Sequence, residues 1–409
     1  MTELADAVLP LIRTRADLHR RAASNAHGRQ MHDAVDLLEQ AAGTEDPAGL
    51  YAVTHKALTS AVKVIARADD SSGIIGDACR RLLALHPVHA AAAGVAPGRI
   101  VDWMIRFQFA GDVDYFEIDP VAYAPALGEQ GVAAYRDRLA EIRAGLGPEP
   151  ADGEWWRSER SHEWFTLDHN ARRLAVLDRD VEEIVRTHAR DQRVAVWLQD
   201  TAEALEEIGE IDLAVDWARR ATEHDRGHQS LTAARYWCGL LAAHRPDELL
   251  EARLQVFRTW PSATSAGHLL ADAEAAWPDY RDEVLDRLAA DPREAVLFAL
   301  LGLEDARLAW NLAHKLELRD VDAWDRLVEA YERVDPRAVL PVQIELVEAA
   351  LVQADAQQYR LAARRLKRMR TLARGTDDAA AVDAFIASLR VEHRRRPRFQ
   401  QELDRAGLP

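Results

Sequence analysis

The stretch Ala202 to Ala221 reads A-x-x-L-x-x-x-G-x-I-x-x-A-x-x-x-A-x-x-A, and this rhythm of small residues limits what the chain can fold into more than any other feature. Just before and through it, Val194, Trp197, Leu198, Thr201, Ala202, Leu205 and Ile208 fall three and four apart, the spacing of one helical face. Gly209 stops that helix. A second begins near Asp212 and sets Ala214, Trp217, Ala218 and Ala221 on its packed side, where small side chains let two backbones approach closely. Two such helices make a tetratricopeptide-like hairpin, a unit that buries its apolar face only by stacking on neighbours.

The same spacing runs through nearly every other segment, and none alternates with a period of two. The expected fold class is all-α, an irregular tetratricopeptide-like α/α solenoid of antiparallel helical hairpins. Leu297, Leu300, Gly302, Ala306, Ala309 and Trp310 echo the hairpin; Tyr359, Ala362, Leu366 and Met369 with Val382, Phe385, Ile386 and Leu389 echo it again. Asp291-Pro292 and Asp335-Pro336 predict helix starts with an aspartate cap and a first-turn proline, and Trp260-Pro261-Ser262 and Trp277-Pro278-Asp279 predict interhelical corners. Residues 145–153 hold three glycines and two prolines, which forbids a continuous helix. The chain is cut there into an N-terminal helical domain, 1–147, and a C-terminal repeat domain, 154–409.

A chain of 409 residues with 48% hydrophobic residues can bury a sizeable core, which excludes wholesale disorder. No run approaches the roughly 18 apolar residues of a membrane helix, and the first residues lack the layout of a secretory signal, so a cytoplasmic location without membrane contact is expected. Cys79 and Cys238, the only two cysteines, suit burial as small hydrophobes. The net charge of −16 is uneven: residues 1–150 carry 15 Lys+Arg against 20 Asp+Glu, and residues 359–409 carry 13 against 6. An acidic body with a basic end disfavours free duplex binding by the whole chain while leaving a local positive face.

Several segments resemble the helical region that follows the zinc finger in bacterial SWIM zinc-finger proteins, and a related actinobacterial family of uncharacterised helical proteins. The resemblance rests on His55-Lys56-Ala57-Leu58, Ala68 to Gly73, Tyr123 to Gly131, Ala202 to Ala221, Tyr359 to Met369 and Phe385 to Arg396. It implies an α/α repeat fold and no particular reaction. The finger itself needs three cysteines and a histidine, and neither Cys79 nor Cys238 lies in such a setting.

Four groups of residues could carry function. Asp69, Asp70 and Ser71, with Asp112 as a second acidic group, could form a polar site, or could cap the helix that starts near Ile74. The pairs His86/His89 and His224/His228 have suggestive spacing, but a proline and a glycine are expected to break the helices that would align them, so no metal and no cofactor are expected. Arg364, Arg365 and Arg368, with Arg394, Arg395 and Arg396, form a basic face for an acidic partner or phosphates, or else pair with the acidic body. Trp155 and Trp156 are adjacent, so on a helix they point about 100° apart and cannot both face one core, which marks them as a possible partner contact. With no phosphate loop and no nucleophile elbow, the expected function is a non-enzymatic scaffold that binds a protein or peptide. A nucleic-acid accessory using the basic C-terminal helices is the alternative, and an enzyme or small-ligand protein built on Asp69 and Asp70 is the second alternative.

Overall fold

The computed structural model describes residues 3–111, 113–148, 150, 155–353 and 355–409, the side chain of Trp156 excepted. Every regular element among these residues is helical. They form two compact units, Met1–Ala221 and Thr222–Pro409.

The first unit holds α1 (Glu3–Ile12), α2 (Arg21–Ala41), α3 (Pro47–Ile65), α4 (Ile74–Ala92), α5 (Pro97–Phe109), α6 (Pro120–Leu146), α7 (Ser161–Asp178), α8 (Val181–Ala189) and α9 (Ala195–Glu207); α10 (Ile211–Glu223) runs on past its end. The second holds α11 (His228–His244), α12 (Pro246–Thr259), α13 (Ala263–Ala273), α14 (Trp277–Leu288), α15 (Pro292–Leu297), α16 (Ala306–Lys315), α17 (Val321–Tyr331), α18 (Val339–Val352), α19 (Ala356–Leu372), α20 (Ala379–Glu392) and α21 (Pro397–Ala406). Within each unit most helices pack on the next one or two in the chain, as in α8 on α9, α11 on α12 and α18 on α19. The fold is an irregular α/α array of helical hairpins, as the small-residue rhythm predicts.

Local chemistry explains the boundaries. Asp46, Asp180, Asp291, Asp305, Asp320 and Asp355 each accept a first-turn backbone N–H of the helix that follows. Ser262 and Ser265 cap α13 reciprocally in the corner after Trp260-Pro261. Asp335 differs from expectation: it accepts from Arg337 and Ala338 in a turn, and α18 begins only at Val339. Gly209 (φ 84°) closes α9, with Glu210 N–H donating to Leu205 O at 2.9 Å. Ala214, Ala218 and Ala221 are fully buried.

The glycine- and proline-rich stretch is not where the units divide. Helices on both sides of it share one core: Tyr135 and Leu139 of α6 pack with Trp164, Leu167 and Leu174 of α7. The stretch therefore joins two packed helices inside the first unit, because apolar burial across it outweighs the break in helicity. The compact units divide between Ala221 and Thr222 rather than at residues 147–154.

A second core, under α1 to α4, contains Ile12, Met31, Leu38, Leu58, Ile75 and Leu82. Gly28 of α2 sits where α4 begins. A Cβ there would lie 2.5 Å from Ile74 Cγ2. Gly28→Ala is therefore expected to destabilise the first unit by about 1–3 kcal/mol, as overpacking does, and a urea midpoint equal to that of the native chain would show that α2 and α4 can separate freely.

Candidate ligand pocket

A concavity of about 580 Å³ opens in the first unit between α3 and α5. Two polar helical faces line it. From α3 come Tyr51, His55 and Lys56; from α5 come Arg99, Asp102, Trp103 and Arg106. The α5 set is spaced three, four and seven residues on from Arg99, the repeat of a single face of a helix. The turn Gly94-Val95-Ala96 closes one end, where the N-terminus of α5 has no side-chain cap. The positive end of the α5 dipole favours an anion there.

The walls are aromatic and prearranged. His86 of α4 lies fully buried behind them, its ring stacked on Trp103 with centroids 4.2 Å apart. Its two nitrogens are both engaged, Nδ1 with the Tyr123 hydroxyl at 2.8 Å and Nε2 with His55 Nδ1 at 2.9 Å. His89 Nδ1 meets Thr54 Oγ1 at 2.9 Å. Tyr123 lies in α6 ahead of Gly128, where the helix is broken at φ 61°, ψ 178°, a backbone that glycine tolerates. Burial, then the positive charges of Arg99 and Arg106, lower the pKa of His55. Burial, then His55 and His89, push that of His86 down to about 3, so both rings are neutral at pH 7.

The cations at the mouth are the feature that stands out. Several arginines elsewhere are paired: Arg173 with Asp119 and Glu207, Arg258 and Arg287 with Glu283, Arg81 with Asp36 and Glu39. Among the described residues Lys56, Arg99 and Arg106 have no carboxylate partner, and the one acid in the pocket, Asp102, is held by Arg138 at 3.1 Å. Three uncompensated cations around aromatic walls can receive an oxyanion carried on a flat group, with guanidinium forks and an ammonium as donors.

Most of the residues singled out from sequence lie elsewhere. Asp70 caps α4, its carboxylate oxygens accepting from Ile75 N–H at 3.0 Å and Gly76 N–H at 2.8 Å, while Asp69 accepts from Ser71 N–H at 3.2 Å. Both carboxylates are thus taken up by backbone; Asp112 lies outside the described residues. Trp155 starts a short turn, Trp155–Arg157, and packs into the core of α5 to α7 with the Arg190 guanidinium 5.4 Å from its ring centre, which makes it an internal contact. Pro87 does not break α4: it is buried within the helix, and His86 and His89 share that helix. His224 and His228 do fall on either side of a helix start.

The basic helix α19 divides into two kinds of arginine. Arg365 is buried, pairs with Asp325 and donates to Leu346 O at 2.8 Å; Arg368 pairs with Glu332. Arg396 donates to Leu351 O at 2.6 Å, and Arg394 makes only a long contact, 3.5 Å, with Val391 O. Arg364 instead lines a groove of about 370 Å³ with Arg360, Lys367, Arg405 and Glu402. Arg395 is exposed.

Sequence reasoning passed over Tyr51, Arg99, Trp103 and Arg106, although the spacing of the α5 set was there to be read. His55-Lys56 and His86/His89 were singled out for other reasons. Among the described residues no three His, Cys, Asp or Glu side chains are grouped to hold a metal ion, and no helix is long and apolar enough to cross a membrane.

The chain matches a family of unknown function, DUF6880, over residues 7–402. A comparison with curated proteins finds no match. Among solved structures, a circular tandem repeat protein with novel repeat topology and enhanced subunit contact surfaces is similar at 13% identity, covering 99% of this chain and 94% of that one, with a TM-score of 0.17, too loose a superposition to build on.

Proposed function

The chain belongs to the DUF6880 family of unknown function, and on that premise we propose that it is a non-enzymatic helical-repeat binding protein whose α3–α5 pocket holds an oxyanion-bearing flat group presented by a protein or peptide partner. One observation carries the reading: Lys56, Arg99 and Arg106 surround Tyr51 and Trp103 without a carboxylate to neutralise them. A like-charged cluster is self-repelling, and an anion relieves it. The nucleic-acid alternative draws less support, because Arg365, Arg368 and Arg396 are engaged within the second unit.

Calorimetric titration of the full chain tests it, with phenyl phosphate as the probe and phenol and inorganic phosphate as partial probes. Phenyl phosphate is expected to bind more tightly than either, and Arg99→Glu to weaken it by about tenfold or more through loss of a charge-assisted contact and addition of a repulsion. A pentapeptide with phosphotyrosine at its centre separates the sources of the group, binding more tightly than phenyl phosphate when a peptide is the partner. Equal affinity for phenol, or indifference to Arg99→Glu, would overturn the pocket assignment.

A further inference from the structure

The second unit carries a corner of opposite character, independent of the pocket just described. Between α16, α17 and α18 lies a cavity of about 460 Å³ lined by Trp310, His314, Glu317, Trp324, Pro341 and Glu345, among others. We infer that this corner binds a cationic side chain, the ammonium or guanidinium group of a lysine or arginine in a partner peptide.

Three observations converge. The first is the aromatic walls: Trp310 and Trp324 meet nearly at right angles, 80° with centroids 5.6 Å apart, and His314 lies 4.8 Å from Trp310 and 5.3 Å from Trp324. The walls are held in place from behind, Trp310 by a parallel stack on Tyr331 at 4.2 Å and Trp324 by its indole N–H donating to Leu318 O at 2.9 Å. Ring faces so fixed attract an organic cation by their quadrupoles without having to reorganise.

The second is charge. Glu317 and Glu345 are exposed and have no cationic partner among the described residues. They supply the countercharge for a cation seated on the indoles. The third is backbone. α16 ends at Lys315, so the carbonyl-bearing, negative end of its dipole lies beside His314 and Glu317. Glu317 itself has φ 53°, in the left-handed region where glycine or asparagine is the ordinary occupant. That conformation turns the chain after α16 and sets the Glu317 carboxylate at the rim.

The chemistry selects against other ligands. An anion would face two carboxylates and a helix C-terminus, and a neutral alkyl group would gain the aromatic contact but leave the charges unanswered. The long stem of lysine or arginine suits an open corner, since it spans the rim while the head sits on the rings.

The test follows the Trp324 indole N–H in proton–nitrogen spectra of the full chain during titration with three probes: lysine amide, arginine amide and norleucine amide, the last a neutral match for lysine. Both cationic amides are expected to shift the signal saturably and norleucine amide not to. Joint replacement of Glu317 and Glu345 by glutamine, which leaves the indoles in place, is expected to weaken binding about tenfold or more, and raising the salt to weaken it further. A norleucine amide response equal to that of lysine amide, no response to any probe, or binding unchanged in the double glutamine variant would overturn the assignment. None of these outcomes bears on the α3–α5 pocket, whose residues are in the other unit.

Discussion

Lowering the pH from 7 to 4 is expected to cost the protein about 3 kcal/mol of stability through His86 alone. In the folded chain this ring is fully buried against Trp103, with its nitrogens on Tyr123 and His55, and burial followed by the neighbouring His55 and His89 holds its pKa at about 3 against the ordinary 6.5. Unfolded, the ring binds a proton below about pH 6.5; folded, it does not until about pH 3. Across that window the unfolded state carries the extra proton, so stability is complete above it and falls as the pH falls. His188, lowered to about 4 chiefly by burial, acts with the same sign. Urea titrations at several pH values measure the slope. His86→Gln keeps a hydrogen-bonding group beside Tyr123 but cannot titrate in this range, so the slope should flatten by close to one proton whatever happens to the overall level. An unchanged slope would place the acid sensitivity elsewhere.

The second large effect concerns α19. Arg365→Met is expected to destabilise the second unit by about 3 kcal/mol, towards the lower end for breaking a buried pair because the Asp325 carboxylate keeps some contact with water. The guanidinium is 6% exposed and bridges α17 and α18 through Asp325 and Leu346 O, and its removal leaves the Asp325 carboxylate without its cation. Arg364→Ala, on the same helix but facing the groove with Arg360 and Lys367, is expected to change stability by no more than about 0.5 kcal/mol. Thermal or urea unfolding of the two variants decides it. Equal costs would mean that burial does not separate these neighbouring arginines.

That contrast shows what could be read from the sequence and what could not. The helical fold was legible in the positions of Leu198, Leu205, Ala214 and Ala218, because a helix that must bury a face repeats small and large apolar residues every three or four positions. The cap at Asp291 was legible too, from an aspartate beside a first-turn proline, whereas Asp335, in the same setting, sits in a turn ahead of α18. The arginines of α19 all look alike in sequence. Which of them is paired depends on Asp325, 40 positions before Arg365, and on Glu332, 36 before Arg368, separations that no local pattern reports. Asp70 read first as a cap and second as a ligand, and the distances to Ile75 and Gly76 place it as a cap.

The pocket was half legible. Arg99, Asp102, Trp103 and Arg106 repeat as one helical face, but a polar face on a helix is ordinarily just solvated, and nothing near α5 in sequence says that Tyr51 and His55 lie opposite. That information is carried by packing. His86 makes the point most sharply: proline at the next position argues against a helix, yet burial of Pro87 and the bonds to Tyr123 and His55 keep α4 intact. The left-handed Glu317 likewise has no sequence signal, since glutamate rarely takes that backbone.

A crystal structure of the protein grown with phenyl phosphate tests the central claim most directly. The account predicts phosphoryl oxygens within hydrogen-bonding distance of Lys56, Arg99 and Arg106, with the phenyl ring against Tyr51 and Trp103. Phenyl phosphate seated instead on the Arg360–Arg364–Lys367 groove, with the α3–α5 pocket holding only water, would contradict it.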